Sequence, residues 1–238
     1  MRIAVIADIH GNCLALEAVL ADIARQGADL TLNLGDLVSG PLEPRRTAEL
    51  LLEEDFPTVA GNHERSLVSN GPLGPVDRFT HDELAAEHLD WIAELPRTLA
   101  LNGEIFMCHG TPTSDSTPWL DGWFDGRDNT LPDEEAVSRE AEGIGYPVLL
   151  CGHTHVPRVV RLADGRLVVN PGSVGLQMHY GSPDAHYAIV ERHAGEWSVS
   201  HRNVPYDREA AARLAAANGF PHWQAALAGG WAGAAGLF

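Results

Sequence analysis

The sequence predicts an α/β protein built on two packed sheets with helices outside, and three observations carry that reading. A βαβαβ series fills the first third of the chain, which asks for a parallel sheet. Asn102-Gly103 and Asp164-Gly165 each sit between strand-like runs and mark two hairpins, which belong to antiparallel pairing. Polar clusters recur where the apolar runs end, the place where open α/β sheets gather their sites.

The elements follow in order. MRIAVIAD is a short apolar, β-branched run ending in Asp8, which reads as a buried strand. Asn12 to Gln26 places Leu16, Val19, Leu20 and Ile23 on one helical face, and Gly27 ends the helix. Leu30 to Leu34 form a second strand that runs into Gly35-Asp36. A helix from about Arg45 to Glu54 leads to a short strand, PTVA, ending at Gly61-Asn62-His63. Thr80 with Glu83 is a capping-box signature, which places a helix from there to about Glu94. RTLALNGEIFMCHG is a hairpin, VLLCGHTH an apolar run into polar residues, and VPRVVRLADGRLVVNPGS a further hairpin. YAIVE and WSVSH add two short strands, and Asp207 to Asn218 form a terminal helix stopped by Gly219 and Pro221. Ser66 to Phe79 and Thr111 to Leu131 fit no element, and long loops in a compact domain are often functional. With 238 residues and neither repeats nor a linker, residues 1–238 read as a single domain with a C-terminal helical extension at about 207–238.

Composition limits the partners. The hydrophobic share of 45% is enough to bury a core, so a globular protein is expected. The net charge of −17 excludes a general nucleic-acid or anionic-membrane binder, because no basic surplus neutralises phosphates. A phosphate-bearing substrate stays open if bound metal ions supply positive charge locally. Cys13, Cys108 and Cys151 are too few and too scattered for a disulfide framework, which points to free thiols in a reducing compartment. No apolar run approaches the roughly 18 residues of a membrane span. Asp8 and His10 come too early for a signal peptide, so a cytoplasmic protein is expected.

Five polar clusters each follow a predicted strand: ADIHGN, LGDL, GNHE, CHGTP and CGHTH. Together they offer Asp8, His10, Asp36, Asn62, His63, His109, His153 and His155. Two aspartates, one amide oxygen and four imidazoles, with His63 left over, are too many for one tetrahedral zinc. They are nearly right for two ions of intermediate hardness sharing a carboxylate, and Asp36, on a tight turn, is the natural bridge. In an extended segment residues i and i+2 point the same way, so the DxH and HxH pairs each aim two side chains at one pocket. Any one of these residues alone is more often an ordinary turn or structural residue; the ordered set is what argues for chemistry.

The series DxH, GD, GNHE, H(G) and GHTH closely resembles the calcineurin-like metallophosphoesterase superfamily, over residues 1 to about 175. GHTHVP and NPGSVG are similar to its short bacterial phosphodiesterase-type branch. The resemblance implies a four-layer αββα sandwich. It implies one metal held by Asp8, His10 and His155, another by Asn62, His109 and His153, Asp36 bridging, and His63 as the catalytic histidine. Relatives that are protein phosphatases carry GDxVDRG, whose arginine binds phosphate; GDLVSGP here has none.

The expected function is therefore hydrolysis of phosphate esters by a dinuclear metal centre, a phosphodiesterase foremost. Two cations lower the pKa of a bridging water, and the resulting hydroxide attacks in line while His63 assists the leaving group. Phosphomonoesterase or nucleotide pyrophosphohydrolase activity at the same centre is the alternative. A non-enzymatic metal-binding or interaction scaffold, as in a retromer subunit of this superfamily, is the third reading. Mixed N/O donors suit manganese first, with iron, zinc, cobalt or nickel also compatible.

Asn12 either points its amide at a substrate phosphate or caps the helix that begins there. Trp119, Trp123, Phe124 and Arg127 either stack a nucleotide base or anchor their loop, with anchoring favoured. Histidines 81, 88, 179, 186, 193, 201 and 222 lack ligand spacing. Cys108 and Cys151 are expected to face the core, and Cys13 to pack. Oligomeric state has no sequence signal.

Overall fold

Strand β1 (Arg2–Ile6) alternates between two cores, and that alternation sets the layering. Ile3 and Val5 pack with Leu32, Met107, Leu150 and Val169, between two sheets. Ala4 and Ile6 pack with Leu16, Val19 and Ile23 of helix α1 (Cys13–Gln26) on the outer face. The protein is seen here in a computed structural model that describes residues 1–122, 131–178, 181–231 and 237–238.

In the first sheet β1 runs parallel to β2 (Leu30–Asn33). The second sheet contains β3 (Thr98–Leu101), β4 (Ile105–Cys108), β5 (Val148–Leu150), β6 (Arg158–Arg161) and β7 (Leu167–Asn170). There β4, β5 and β7 are parallel at the centre, with β3 and β6 antiparallel at the edges. Strands β8 (Ala185–His193) and β9 (Glu196–Val204) complete the first sheet in the order β2-β1-β8-β9, both pairings antiparallel. On the outer face of the second sheet, Cys108, Leu149, Cys151 and Val168 pack with Trp119 and Val137. The result is the expected four-layer αββα sandwich of two mixed sheets. All three cysteines are free and buried, and burial pushes the Cys13 thiol up to about 11. Among the described residues no helix is long and apolar enough to cross a membrane.

The remaining helices are α2 (Pro44–Glu54), α3 (Asn62–Val68), α4 (Pro75–Glu83), α5 (Ala86–Glu94), α6 (Glu134–Glu140), α7 (Arg208–Ala217) and α8 (Gln224–Gly229). Three local expectations fail here. PTVA shrinks to one parallel bridge, Asn33 with Thr58, because the chain turns at once into α3. Ser66 to Phe79 is largely helical, ending α3 and starting α4 with Pro75 in its first turn. The helix expected from Thr80 to Glu94 is two helices, and Thr80 caps neither. Its buried hydroxyl accepts from the Gly40 N–H at 3.2 Å, while His88 Nδ1 accepts from Ala85 N at 3.1 Å to start α5.

Candidate metal centre

Each candidate ligand sits where the chain leaves a strand or bridge at its carboxyl end: Asp8 and His10 after β1, Asp36 after β2, and Asn62 at the start of α3. His109 follows β4, and His153 and His155 follow β5. Five of them are left-handed without being glycine: Asp8 (φ 54°), His10 (49°), Asp36 (53°), His153 (70°) and His155 (61°). The convergence of DxH and HxH therefore comes from paired left-handed turns and not from strand alternation, as the sequence suggested. That backbone costs roughly 1–3 kcal/mol per residue and persists only where the surroundings over-determine it.

They do. Ile9 N and His10 N donate to the Asp36 carbonyl at 2.8 and 3.0 Å. Gly175 N and Ser173 Oγ donate to the Asp8 carbonyl at 3.0 and 2.7 Å. Glu64 is buried, and its carboxylate accepts from Asp36 N at 2.7 Å, Leu37 N at 2.8 Å and Gly61 N at 2.9 Å. Gly61 is required beside it: a Cβ there would lie 2.2 Å from Asp36 Oδ1.

Two donor groups result. Asp8, His10, Asp36 and His155 present ligand atoms all within 4.8 Å of one another, and so do Asp36, His109 and His153. Asp36 belongs to both. Its Oδ2 is 3.1 Å from His109 Nε2 and 3.9 Å from His10 Nε2. Asn62 Oδ1 lies 3.2 Å from His109 Nε2, which brings it to the second group.

The imidazoles are oriented for coordination. Nδ1 of His10, His109 and His155 faces the carbonyls of Ser39 (2.8 Å), Leu34 (2.7 Å) and Leu176 (2.5 Å). A carbonyl only accepts, so each Nδ1 carries the proton and Nε2 faces the cluster. His153 is reversed: its Nε2 approaches the Ser116 carbonyl at 3.2 Å, which puts its lone pair on Nδ1. Burial pushes His10 and His153 down to about 4 and His155 well below the usual range, so all three are neutral donors. His10 Nε2 and His155 Nε2 are 3.1 Å apart. Two lone pairs at that distance repel unless a cation lies between them, whereas ligands of one divalent ion with bonds of about 2.1 Å are about 3.0–3.4 Å apart. The donor set fits divalent metal.

The charges agree. Burial pushes the Asp8 carboxyl up to about 8, against the pull of His109. Burial opposes ionisation of Asp36 too, but His109 and His63 hold it well below the usual range. His109 is itself pushed up to about 10, the Asp36 and Asp8 carboxylates overcoming its burial. Among the protein groups a proton on His109 thus stands where a cation can.

His63 is not in either donor group. Its Nδ1 is 2.9 Å from Asp77 Oδ1, which leaves Nε2 for another partner. Burial resists its charge, yet Asp36 and Asp77 push it up to about 9. Asn12 takes the capping option: Oδ1 accepts from Ala15 N at 3.1 Å, while Nδ2 donates to the Gly175 carbonyl at 2.9 Å and to Tyr206 at 3.2 Å. It is buried, and these partners take both the cap position and its amide N–H groups. Trp119 is buried and donates to the Val137 carbonyl at 3.0 Å, an anchor; Trp123, Phe124, Arg127 and His179 lie outside the described residues.

A family model for the calcineurin-like phosphoesterase superfamily domain matches residues 1–195. The chain belongs to that superfamily. It is a metal-dependent phosphoesterase by family, and solved structures agree with the fold. A metallophosphoesterase from Sphaerobacter thermophilus superposes with a TM-score of 0.79 at 28% identity, covering 97% of this chain and 99% of that one. A hypothetical protein from Pyrococcus horikoshii gives 0.76 at 20% identity, covering 96% and 97%. An uncharacterized protein of Methanocaldococcus jannaschii is 26% identical over 93% of this chain and 94% of its own length. Two residues of this phosphoesterase site escaped the sequence reading. Glu64 had a signal, since Gly61 to Glu64 has capping-box spacing; Asp77, deep in an unassigned stretch, had none.

Proposed function

We propose that the chain hydrolyses small phosphorylated substrates, diesters foremost, as one domain over residues 1–238. Asp8, His10 and His155 would hold one divalent ion, Asn62, His109 and His153 a second, with Asp36 common to both. Bound metals supply Lewis-acid chemistry, polarising the phosphate and lowering the pKa of water. The chain's own part is positional and acid–base. Glu64 fixes the turn that presents Asp36. Asp77 holds His63 by Nδ1, so that Nε2 gives a proton to the departing oxygen. The observation that carries this reading is that one carboxylate is common to two donor groups, buried but for the half-buried His153, while an adjacent histidine is left over.

Charge favours a diester. The segment GDLVSGP offers no arginine, and Arg65, near the site, is committed to Asp115 through Nε at 2.6 Å and Nη2 at 3.0 Å. A monoester dianion brings one more negative charge to a protein of net charge −17. Manganese suits the mixed N/O donors, and a cytoplasmic setting suits three free thiols.

The test is turnover of bis-p-nitrophenyl phosphate against p-nitrophenyl phosphate with manganese, then chelation. Diester turnover that chelation abolishes is expected. His63→Ala is expected to keep both ions and lose about 10²–10⁴-fold in kcat. Unchanged turnover in that variant removes the proton-donor role, and no turnover with any divalent metal despite two bound ions favours the scaffold.

A further inference from the structure

The ring of Phe238 lies against the two histidines on one side of the candidate centre. Its centroid is 4.5 Å from that of His63 and 5.0 Å from that of His10, tilted by 42° and 45°. It also meets Trp223 edge-on at 5.3 Å. Phe238 lies outside the stretch that the family match covers, residues 1–195, so this contact belongs to the chain's own C-terminal region.

The placement is anchored. Trp223 is fully buried in a core with Leu42, Leu176, Ala211 and Leu227, and its Nε1 donates to the Leu237 carbonyl at 2.9 Å. Leu237 is itself buried in that core. Phe238 nevertheless remains 49% exposed. Nearly half of the residue's surface thus stays open beside the histidine assigned to the departing oxygen. His63 cannot swing away from it, because Asp77 holds the opposite nitrogen. On that side of the site the chain offers a flat apolar face fixed in position, which is what an aromatic group packs against.

We propose that Phe238 is a specificity-determining residue, its ring, fixed against His63, His10 and Trp223, forming a platform for a flat-ring substituent, aryl or nucleoside, on the phosphate ester. This rests on the phosphoesterase reading for the identity of the ester. It adds that recognition on the leaving-group side is by ring stacking and not by charge.

The test is calorimetric binding of phenylphosphonate and ethylphosphonate to the manganese-loaded full chain, which needs no turnover. The wild type is expected to prefer the phenyl probe by about three- to ten-fold, the range of one aromatic contact. Phe238→Leu, which keeps apolar bulk against Trp223, is expected to cut that preference to under about two-fold, and Phe238→Tyr to retain it. No phenyl preference in the wild type, or one that survives Phe238→Leu, overturns the platform. So does tighter binding of both probes alike in the leucine variant, because the ring then covers the site and does not line it. Nucleoside and phenyl esters of phosphate, assayed in parallel, separate the two ring classes. Loss of the preference without any turnover leaves the platform standing and sinks the phosphoesterase reading; turnover with the preference unaltered in the leucine variant does the reverse.

Discussion

Asp22 and Asp36 are both buried carboxylates, and their partners have little in common. Asp22, on α1, is held by Arg202 at 2.6 Å, Arg25 at 3.0 Å and the Tyr187 hydroxyl at 2.7 Å. Those bonds, Arg202 first, hold its carboxyl down at about 2. Asp36 and its neighbour Asp8 have imidazoles as their ion-pair partners, besides the backbone N–H of His63 and of His153, and among the described residues no arginine pairs with either. One carboxylate has its countercharge built into the fold. Asp8 has no such partner: burial pushes its carboxyl up to about 8, a cost that a divalent ion would offset, while Asp36 depends on the charge of histidines around the same centre. The comparison separates what holds the molecule together from what lets it act, and each side can be broken alone.

The largest effect is expected from Asp36→Asn. Removing the shared carboxylate should cut turnover by about 10³-fold or more and reduce the bound metal below two ions per chain. With a chelator present, Asp8→Asn should melt at or above the wild type at pH 7, since burial pushes that carboxyl up to about 8 and leaves it largely uncharged there. Full metal content in Asp36→Asn, or a marked loss of stability in Asp8→Asn under chelation, would mean that these are structural carboxylates like Asp22.

The donors were legible because each is a chemically specific letter directly after an apolar run: Asp8, Asp36, Asn62, His109 and the HxH pair all obey that rule. What fixes them in place was not. Five left-handed ligands cannot be read from residue type, because nothing local distinguishes His153 at φ 70° from an extended histidine. Thr80 and Glu83 satisfied a local pattern, but the Gly40 amide, forty residues away, took the hydroxyl instead. Asp77 reaches His63 only because α4 folds back on α3, and Phe238 reaches it across most of the chain. Local chemistry declares itself in sequence; partners chosen by tertiary packing do not.

The next effect is on stability and leaves the site alone. Folding lowers the Asp22 pKa, so the stability it contributes is complete above about pH 4 and is lost as pH falls toward 2. A shift of that size is worth about 2 kcal/mol. Asp22→Asn should therefore lose about 2 kcal/mol in urea unfolding at pH 7, and the gap from wild type should shrink as pH falls below about 4 and close only as it passes below about 2. Metal content and turnover should stay near wild type. A gap that persists unchanged into acid would assign the loss to geometry and not to the carboxylate charge.

Asn12 sits between the two regions, and the smallest expected effect is there. Its Oδ1 caps the helix that carries Asp22, while its Nδ2 ties that helix end to Gly175, whose own N–H holds the Asp8 carbonyl. Losing an asparagine cap costs about 1 kcal/mol, and the buried Gly175 carbonyl would also lose a donor. Asn12→Ala should thus lower stability by about 1–2 kcal/mol, with a fall in kcat/KM of less than about ten-fold that comes through the Asp8 loop. A phosphate-binding amide predicts the opposite pattern, a raised KM at unchanged stability. Unfolding and steady-state kinetics on the same preparation decide between them, because a cap and a substrate ligand at this residue move different quantities.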